Sequence, residues 1–273
     1  MARKWGLALN LFGRLEEWGR MLTADPADFM IYLLSFVVAI LVTLIFHEIA
    51  HGYVAYRCGD PTAQMLGRLS LDPRKHLDPF GTICLVLVGF GWAKPVPVNP
   101  RNFRNYRRDD FLVSIAGVTV NFTLFLLALA LAVGVNSLLW TPQAIDSFTA
   151  RGLISSRGVG YYTLVSGLGS QFSGLMLRPW LRHVQRFLMM FYYMNLSIAV
   201  FNLLPIPPLD GWHVLDDLVL KGRLSMNPRA FEMSRFILLA LMLTGVLGSV
   251  LLAVTGVIEN GVLNLFLRIT GQP

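Results

Sequence analysis

The sequence predicts an all-α polytopic membrane protein, a bundle of about four to six transmembrane helices with a small membrane-associated extended region. Of its 273 residues, 55% are hydrophobic and only 14% are charged, whereas a soluble domain carries about 25% charged residues. Several uncharged runs are long enough to cross a bilayer, which takes about 20 residues of helix. The two cysteines are too few for a disulfide framework.

The chain divides into a surface segment at residues 1–28 and a membrane-embedded domain at residues 29–273. Charged residues interrupt the apolar residues of the first segment, which is typical of an amphipathic surface helix and not of a cleavable signal peptide. The runs Pro79–Ala93 and Val159–Leu177 are punctuated by Gly or Ser and are predicted not to cross the membrane. The predicted spans cover about residues 29–57, 111–135, 187–209 and 236–258.

The connection between the first two spans predicts the orientation of the chain. Residues 57–110 contain nine Lys or Arg, and basic connections tend to lie in the cytoplasm. The same connection contains alternate prolines in Lys94-Pro95-Val96-Pro97-Val98-Asn99-Pro100. Because proline cannot donate a ladder hydrogen bond, this pattern favours an edge strand or a polyproline-like segment. We therefore expect a protein of the cell membrane with this connection on the cytoplasmic side.

The first predicted span contains the motif His47-Glu48-Ile49-Ala50-His51. On a helix, His47 and His51 lie one turn apart on one face, so both imidazoles can bind one Zn²⁺ while Glu48 addresses a water molecule. Two helix-end histidines near the lipid headgroups are the alternative. Because ionisable groups at membrane depth are costly, they are functional by default. The motif therefore predicts one Zn²⁺ per chain, with Glu48 as a catalytic residue.

Two histidines require a third protein ligand, which the motif itself does not supply. The chain has no Glu between Glu48 and Glu232, and Val54 and Arg57 stand where a metzincin has Gly and His. The remaining candidates are the histidines and aspartates His76, His183, His213, Asp72, Asp78 and Asp210. Of these, Asp72, His76 and Asp78 lie in a polar loop, where we expect solvated turn residues.

Asp210 is the strongest of these candidates. It follows Pro205-Ile206-Pro207-Pro208-Leu209, where prolines break an apolar helix. Irregular backbone at such depth is tolerated only where it is buried in protein or lines a cavity. A carboxylate there needs a counter-charge, which Zn²⁺ would supply. The alternatives are that Asp210 caps a helix beginning near Trp212, or that His213 is the ligand, although His213 is expected nearer the interface.

Two of these motifs together resemble the site-2 protease family of intramembrane zinc metalloproteases. The resemblance covers about residues 29–214 and rests on H-E-x-x-H in one span and Asn202–Gly211 in a later one. Shorter matching motifs are Gly67-Arg68-Leu69, Asp78-Pro79-Phe80-Gly81 and Gly91–Pro100. The resemblance implies a transmembrane helix as substrate and Glu48 as the catalytic acid and base. The zinc ligands that it implies are His47, His51 and Asp210.

The resemblance also implies residues that hold the substrate. The family often has A-G-P-x-x-N in a middle span, and this chain reads Ala116-Gly117-Val118-Thr119-Val120-Asn121, which keeps Asn121 but has Val118 in place of proline. Asn121 would then hold the scissile carbonyl as a catalytic and substrate-binding residue, while an interhelical hydrogen bond is the alternative for both Asn121 and Asn202. The segment containing Lys94, Val96 and Val98 is expected to pair with an unwound stretch of substrate by β-augmentation.

The predicted function is therefore regulated intramembrane proteolysis, in which a peptide bond within or near a transmembrane segment is hydrolysed. The expected partners are a single-span membrane protein as substrate and membrane lipid, and no nucleic acid. A metal-ion transporter is an alternative, but transporters show internal repeats and this chain shows none. A catalytically inactive relative that binds membrane proteins is the other alternative, although it would not need Glu48. The chain is expected to be a minimal catalytic core.

Overall fold

Most of the described chain is helical, as the sequence predicts. The computed structural model describes residues 11–82, 93–220 and 228–272. These ranges contain no β-sheet, and isolated antiparallel bridges join Leu77 to Ala93 and Trp140 to Met176. The α-helices are α1 (Leu11–Ala24), α2 (Pro26–Cys58), α3 (Thr62–Met65), α4 (Tyr106–Leu139), α5 (Pro142–Phe148), α6 (Ala150–Ile154), α7 (Val159–Val165), α8 (Leu181–Asn202), α9 (Asp210–Leu215), α10 (Pro228–Leu243) and α11 (Val246–Thr270). The 3₁₀ helices cover Pro73–Lys75, Pro100–Asn102 and Gly169–Leu175, and a π-helical turn covers Asp216–Leu220.

Three of these helices, α2, α4 and α11, are long and apolar enough to cross a bilayer. Helices α2 and α4 contain the first and second predicted spans and extend beyond them, to 33 and 34 residues. The chain is therefore an integral, polytopic, all-α membrane protein.

The structure differs from the sequence prediction in the two C-terminal runs. The run at 236–258 is broken, because α10 ends at Leu243 and α11 begins at Val246. Gly245 between them has a φ of 74°, a conformation that favours glycine. In the run at 187–209, α8 ends at Asn202 and the proline-containing remainder forms turns.

Of the two runs predicted not to cross, one is described. Residues 159–177 contain α7 and a 3₁₀ helix of seven residues each, and neither is long enough to span a bilayer. Most of the run at 79–93 lies outside the described residues.

The chain forms two compact units. The first comprises Leu11 and the described residues of Val42–Phe122 and Ser197–Ala253, and it contains the H-E-x-x-H motif and Asp210. The second comprises Phe12–Leu41, Thr123–Leu196 and Val254–Pro273.

The second unit is built around aromatic residues of α2. Phe29, Tyr32 and Phe36 form a buried cluster with Met21 and Met190. Trp18 of α1 packs edge-on against Phe29, with ring centroids 6.2 Å apart. Part of the apolar face of α1 is thus covered by protein.

Candidate metal centre

Three side chains from two helices converge in the first unit. The Nε2 atoms of His47 and His51 lie 3.1 Å apart. Each lies close to Oδ2 of Asp210, at 3.4 Å for His47 and 3.3 Å for His51. His47 is buried, and His51 and Asp210 are mostly buried. Within the described ranges, this is the one group of three such side chains close enough together to share a metal ion.

The hydrogen bonds around this cluster leave it electron-rich. The main-chain carbonyl of Val113 accepts a hydrogen bond from Nδ1 of His51, at 2.7 Å. With its proton on Nδ1, His51 directs the Nε2 lone pair at the cluster, which is how an outer hydrogen bond prepares a histidine for a metal. Nδ1 of His47 is buried and has no hydrogen-bond partner in the described chain. Two imidazole nitrogens and a carboxylate that converge in this way need a cation or protons between them, so the donor set fits Zn²⁺.

Gly117 of α4 leaves the space that this arrangement needs. A Cβ at this position would overlap Nε2 of His51 and lie 2.5 Å from Cε1 of His47. Atoms in real structures do not approach this closely, so any side chain at 117 would have to displace an imidazole. The backbone of α4 therefore forms one wall of the candidate centre.

One stripe of α4 faces the two histidines. Val113, Gly117 and Asn121 are spaced four residues apart, so they lie on one face of the helix. Val113 holds His51 and Gly117 admits both imidazoles. Asn121 is fully buried, and neither atom of its amide group has a hydrogen-bond partner among the described residues. An unpaired buried amide is costly, so this group is available to a ligand.

Asp210 enters the centre as the first residue of α9. The cap residue is Leu209, and no side chain caps this helix end, so the alternative in which Asp210 acts as a cap is wrong. A Cβ on Gly211 would overlap the carbonyl of Leu203. Glycine at this position lets the chain fold back closely after the prolines, which places Asp210 beside the histidines.

Glu48 lies on the neighbouring face of α2 and contacts the extended segment at 93–99. Its Oε2 accepts a hydrogen bond of 2.7 Å from the main-chain N–H of Val96. Gly52 lies one turn along the same face, and a Cβ there would come within 2.9 Å of Cγ1 of Val96. Successive residues of the motif thus divide between two surfaces, with His47 and His51 facing α4 and α9 and Glu48 facing the extended segment.

The extended segment is fixed at both ends by buried or partly buried polar groups. Nη2 of Arg68 donates to the carbonyls of Lys94 and Pro95, at 2.8 and 3.2 Å. At the other end, the fully buried carboxylate of Asp60 accepts from the N–H of Asn99 at 2.7 Å and from Nδ2 of Asn102 at 2.8 Å. Burial raises the pKa of Asp60, but these hydrogen bonds outweigh it and hold the pKa below its usual range. The segment makes one bridge, at Ala93, and forms no longer strand in the described chain.

The structure separates the other ligand candidates from the cluster. About half of the His213 side chain is exposed, and its Nδ1 lies 3.3 Å from Oδ2 of Asp110. The hydrogen bond to Asp110 raises the pKa of His213, although burial opposes it. His183 lies in the second unit, 3.4 Å from Asp28.

The polar loop at 70–82 corrects one expectation. His76 is not a solvated turn residue, because its side chain is fully buried and its Nε2 lies 2.6 Å from the carbonyl of Ser70. Asp72 and Asp78 do behave as turn residues, since they accept hydrogen bonds from the N–H groups of Arg74 and Gly81.

Of the residues expected to hold substrate, Asn121 lies one turn after Gly117 on the same face of α4, and Asn202 makes no described contact with the cluster. Asn202 lies at the end of α8, and its Nδ2 donates to the carbonyl of Ile198 at 3.1 Å. The sequence motifs do not reveal the roles of Val113, Gly117 and Asp60, because these roles depend on which surfaces pack together in the fold.

A helical H-E-x-x-H whose imidazoles meet a carboxylate from another helix is the ligand arrangement of a zinc peptidase. The chain belongs to Peptidase family M50, the site-2 protease family, whose model matches residues 35–245. This membership confirms the resemblance from the motifs, and the family is one of zinc metalloproteases.

Curated relatives carry corresponding names. The chain is 35% identical over 246 residues to the "Putative zinc metalloprotease YwhC" of Bacillus subtilis (strain 168), an alignment that covers 88% of this chain and 93% of the relative. It is 27% identical over 220 residues to the "Putative zinc metalloprotease Rip2" of Mycobacterium tuberculosis (strain ATCC 25618 / H37Rv), covering 77% of this chain and 67% of the relative. No solved structure matches the chain.

Proposed function

We propose that this protein is an intramembrane zinc metalloprotease that hydrolyses a peptide bond within or near the transmembrane segment of a single-span membrane protein. The observation that carries the proposal is the convergence of His47, His51 and Asp210, with Glu48 one residue from the first ligand. The motif lies in α2, which is long and apolar enough to cross the bilayer. A protease with its centre in such a helix would meet its substrate in the membrane.

The residues have separate roles in the proposed reaction. A Zn²⁺ held by His47, His51 and Asp210 would supply a water of lowered pKa and polarise the peptide carbonyl. Glu48 takes a proton from the attacking water and delivers it to the nitrogen of the leaving amine as the C–N bond breaks. A metal-ion transporter or a binding protein would have no use for Glu48 in this position.

Asn121 is the residue best placed to hold the scissile carbonyl. Its amide is buried and unpaired in the described chain, on the face of α4 that meets the two histidines. A hydrogen bond from its Nδ2 to the carbonyl oxygen would strengthen as negative charge develops on that oxygen. Asn202 is the less supported candidate, since its Nδ2 already donates to Ile198.

Among residues 94–99, Val98 has the one main-chain N–H group that is left for a substrate in the described chain. Pro95 and Pro97 lack an N–H group. The N–H groups of Lys94, Val96 and Asn99 donate to His76, Glu48 and Asp60 respectively. The N–H of Val98 has no partner in the described chain, so we propose that an unwound stretch of substrate pairs here by β-augmentation.

We propose that the protein lies in a prokaryotic cell membrane with residues 57–110 on the cytoplasmic side, because this connection contains nine basic residues. Single cysteines introduced at positions 100–108 should react with a membrane-impermeant reagent only after the cell membrane is opened. Labelling of intact cells would place this connection outside and contradict the orientation.

The proposal is tested by co-expression with candidate single-span proteins. Wild type should cleave a substrate and Glu48→Gln should not, while both bind equal amounts of zinc, because Glu48 handles protons and does not ligate. The matched control is Glu16→Gln, which makes the same chemical change at an exposed position of α1. Substantial cleavage by Glu48→Gln would contradict the assignment of Glu48, and no cleavage by wild type of any candidate would contradict the function.

A further inference from the structure

We propose that the main-chain N–H of Val96 is the positioning group for Glu48, so that the extended segment orients the catalytic base. This inference rests on the proposed function. It begins from the 2.7 Å hydrogen bond between Val96 N–H and Oε2 of Glu48. A glutamate side chain has several rotatable bonds, and one donor on one oxygen removes most of that freedom. The other carboxylate oxygen is then presented to the attacking water.

The position of this N–H is determined by the fold and not by a mobile side chain. Val96 is buried and its side chain contacts α2 at Gly52, one turn from Glu48. Because Val96 precedes Pro97, its backbone is restricted to extended conformations. Arg68 on one side and Asp60 on the other hold the flanking main chain. The donor therefore has a fixed location relative to the helix that bears both Glu48 and the histidines.

The main-chain N–H groups of Val96 and Val98 lie on the same edge of the extended segment but have different roles. Residues two apart in an extended chain direct their N–H groups to the same edge. The first of the two donates to Glu48 and the second is free in the described residues, so substrate main chain would bind beside the base and not in place of it. Loss of the Val96 donor should therefore lower kcat, whereas loss of the Val98 donor should raise KM.

The hydrogen bond can be tested without measuring activity. In protein labelled with ¹⁵N-valine in detergent micelles, the Val96 amide signal, assigned by its loss in Val96→Ala, should show slow hydrogen exchange and a downfield shift. Both properties should be lost in Glu48→Ala, while the Val98 amide signal should stay unchanged. A Val96 amide that is insensitive to Glu48→Ala would overturn the proposal, whatever the enzyme cleaves.

Kinetics with quenched fluorescent casein, an unfolded protein that needs no unwinding, test the consequence. Val96→Pro removes the N–H and Val96→Ala retains it, so the comparison separates the donor from the packing of the side chain. We expect kcat for Val96→Pro to be about tenfold or more below that of Val96→Ala, with KM and zinc content alike. Val98→Pro should instead raise KM by about 2- to 12-fold over Val98→Ala, the usual net worth of one hydrogen bond.

The outcomes distinguish this inference from the function on which it rests. Equal kcat values for Val96→Pro and Val96→Ala would overturn the positioning role while leaving the protease assignment intact. If wild type cleaves neither casein nor any membrane protein, the proposed function fails, and the exchange of the Val96 amide still decides whether this group holds Glu48.

Discussion

The backbone at Gly117 stands so close to His51 that a single added carbon would overlap Nε2 of that imidazole. Four residues earlier on the same helix, Val113 accepts the hydrogen bond of the other ring nitrogen, Nδ1. Helix α4 therefore orients His51 through the carbonyl of Val113, and it leaves room for the imidazole because Gly117 has no side chain. The geometry of the candidate centre depends as much on the backbone of α4 at Val113 and Gly117 as on the three side chains that converge.

We expect Gly117→Ala to abolish zinc binding, because the added methyl group must displace one of the two imidazoles. The control is Gly134→Ala on the same helix, where a Cβ would meet no atom within 4 Å. Alanine has the higher helix propensity, by about 1 kcal/mol, so neither change should unfold α4. Zinc content by elemental analysis and helicity by circular dichroism decide the matter. Stoichiometric zinc in Gly117→Ala would show that this wall does not border the metal.

Asp210→Ala should lose both bound zinc and proteolysis, whereas His213→Ala should keep stoichiometric zinc. Asp210 lies 3.3–3.4 Å from both imidazole Nε2 atoms, while His213 pairs with Asp110 and is exposed. The measurement is the zinc content of each purified variant at saturating metal. The reverse pattern would exchange the roles of the two residues.

The sequence predicts the first two ligands well and the surroundings of the centre poorly. The spacing of His47 and His51 is a local property, since four residues on any helix share a face. Asp210 is far away in the chain, and only the prolines before it and the family resemblance indicate it as a ligand. The roles of Val113 and Gly117 depend on which face of α4 meets α2, and no local pattern in an apolar helix determines that.

The same distinction explains the errors in the fold. The polar neighbours of His76 in sequence predict a solvated side chain, but in the structure this side chain is fully buried, with its Nε2 2.6 Å from the carbonyl of Ser70. The run at 236–258 has the hydropathy of one span, and hydropathy does not detect a break at a glycine with positive φ. By contrast, the charge-free runs that became α2 and α4 were long enough to be identified by composition alone.

The pair of His213 and Asp110 should make stability depend on pH. The hydrogen bond to Asp110 raises the pKa of His213 above its unfolded value of about 6.5. Protonation of His213 thus favours the folded state, and its contribution is complete below that value and is lost as pH rises through the folded pKa. Burial also raises the pKa of Asp217, to about 6. This shift too lowers stability as the pH rises, but it does so below about pH 6 and is complete before His213 loses its proton.

We therefore expect the Tm of the wild type in detergent to fall, relative to that of Asp110→Asn, as the pH rises above the unfolded His213 pKa of about 6.5. The comparison at each pH cancels the pH dependence of metal binding, which the two proteins share. If the Tm values of the two proteins change in parallel with pH, the pair of His213 and Asp110 does not contribute to the pH dependence of stability.

In the second unit, Arg186 and Asp28 form a buried ion pair, with Nη1 and Oδ2 2.6 Å apart. Removing one member of such a pair leaves a buried charge without compensation, which costs about 3–5 kcal/mol. Arg182 and His183 lie farther from Asp28, at 3.9 and 3.4 Å, and His183 also lies 3.2 Å from Nη2 of Arg186. Neither is placed to take over the contact of Arg186 without moving.

We expect Arg186→Met to lower the free energy of unfolding by about 3–5 kcal/mol, and the double variant Asp28→Asn with Arg186→Met to recover much of that loss. The recovery follows because the double variant removes both the buried charge and its partner. Equilibrium unfolding in mixed micelles measures the free energy of unfolding of each variant. Variants that remain folded should keep their bound zinc. If the double variant is as unstable as Arg186→Met, the single change acts through lost packing of the long arginine side chain and not through the uncompensated charge of Asp28.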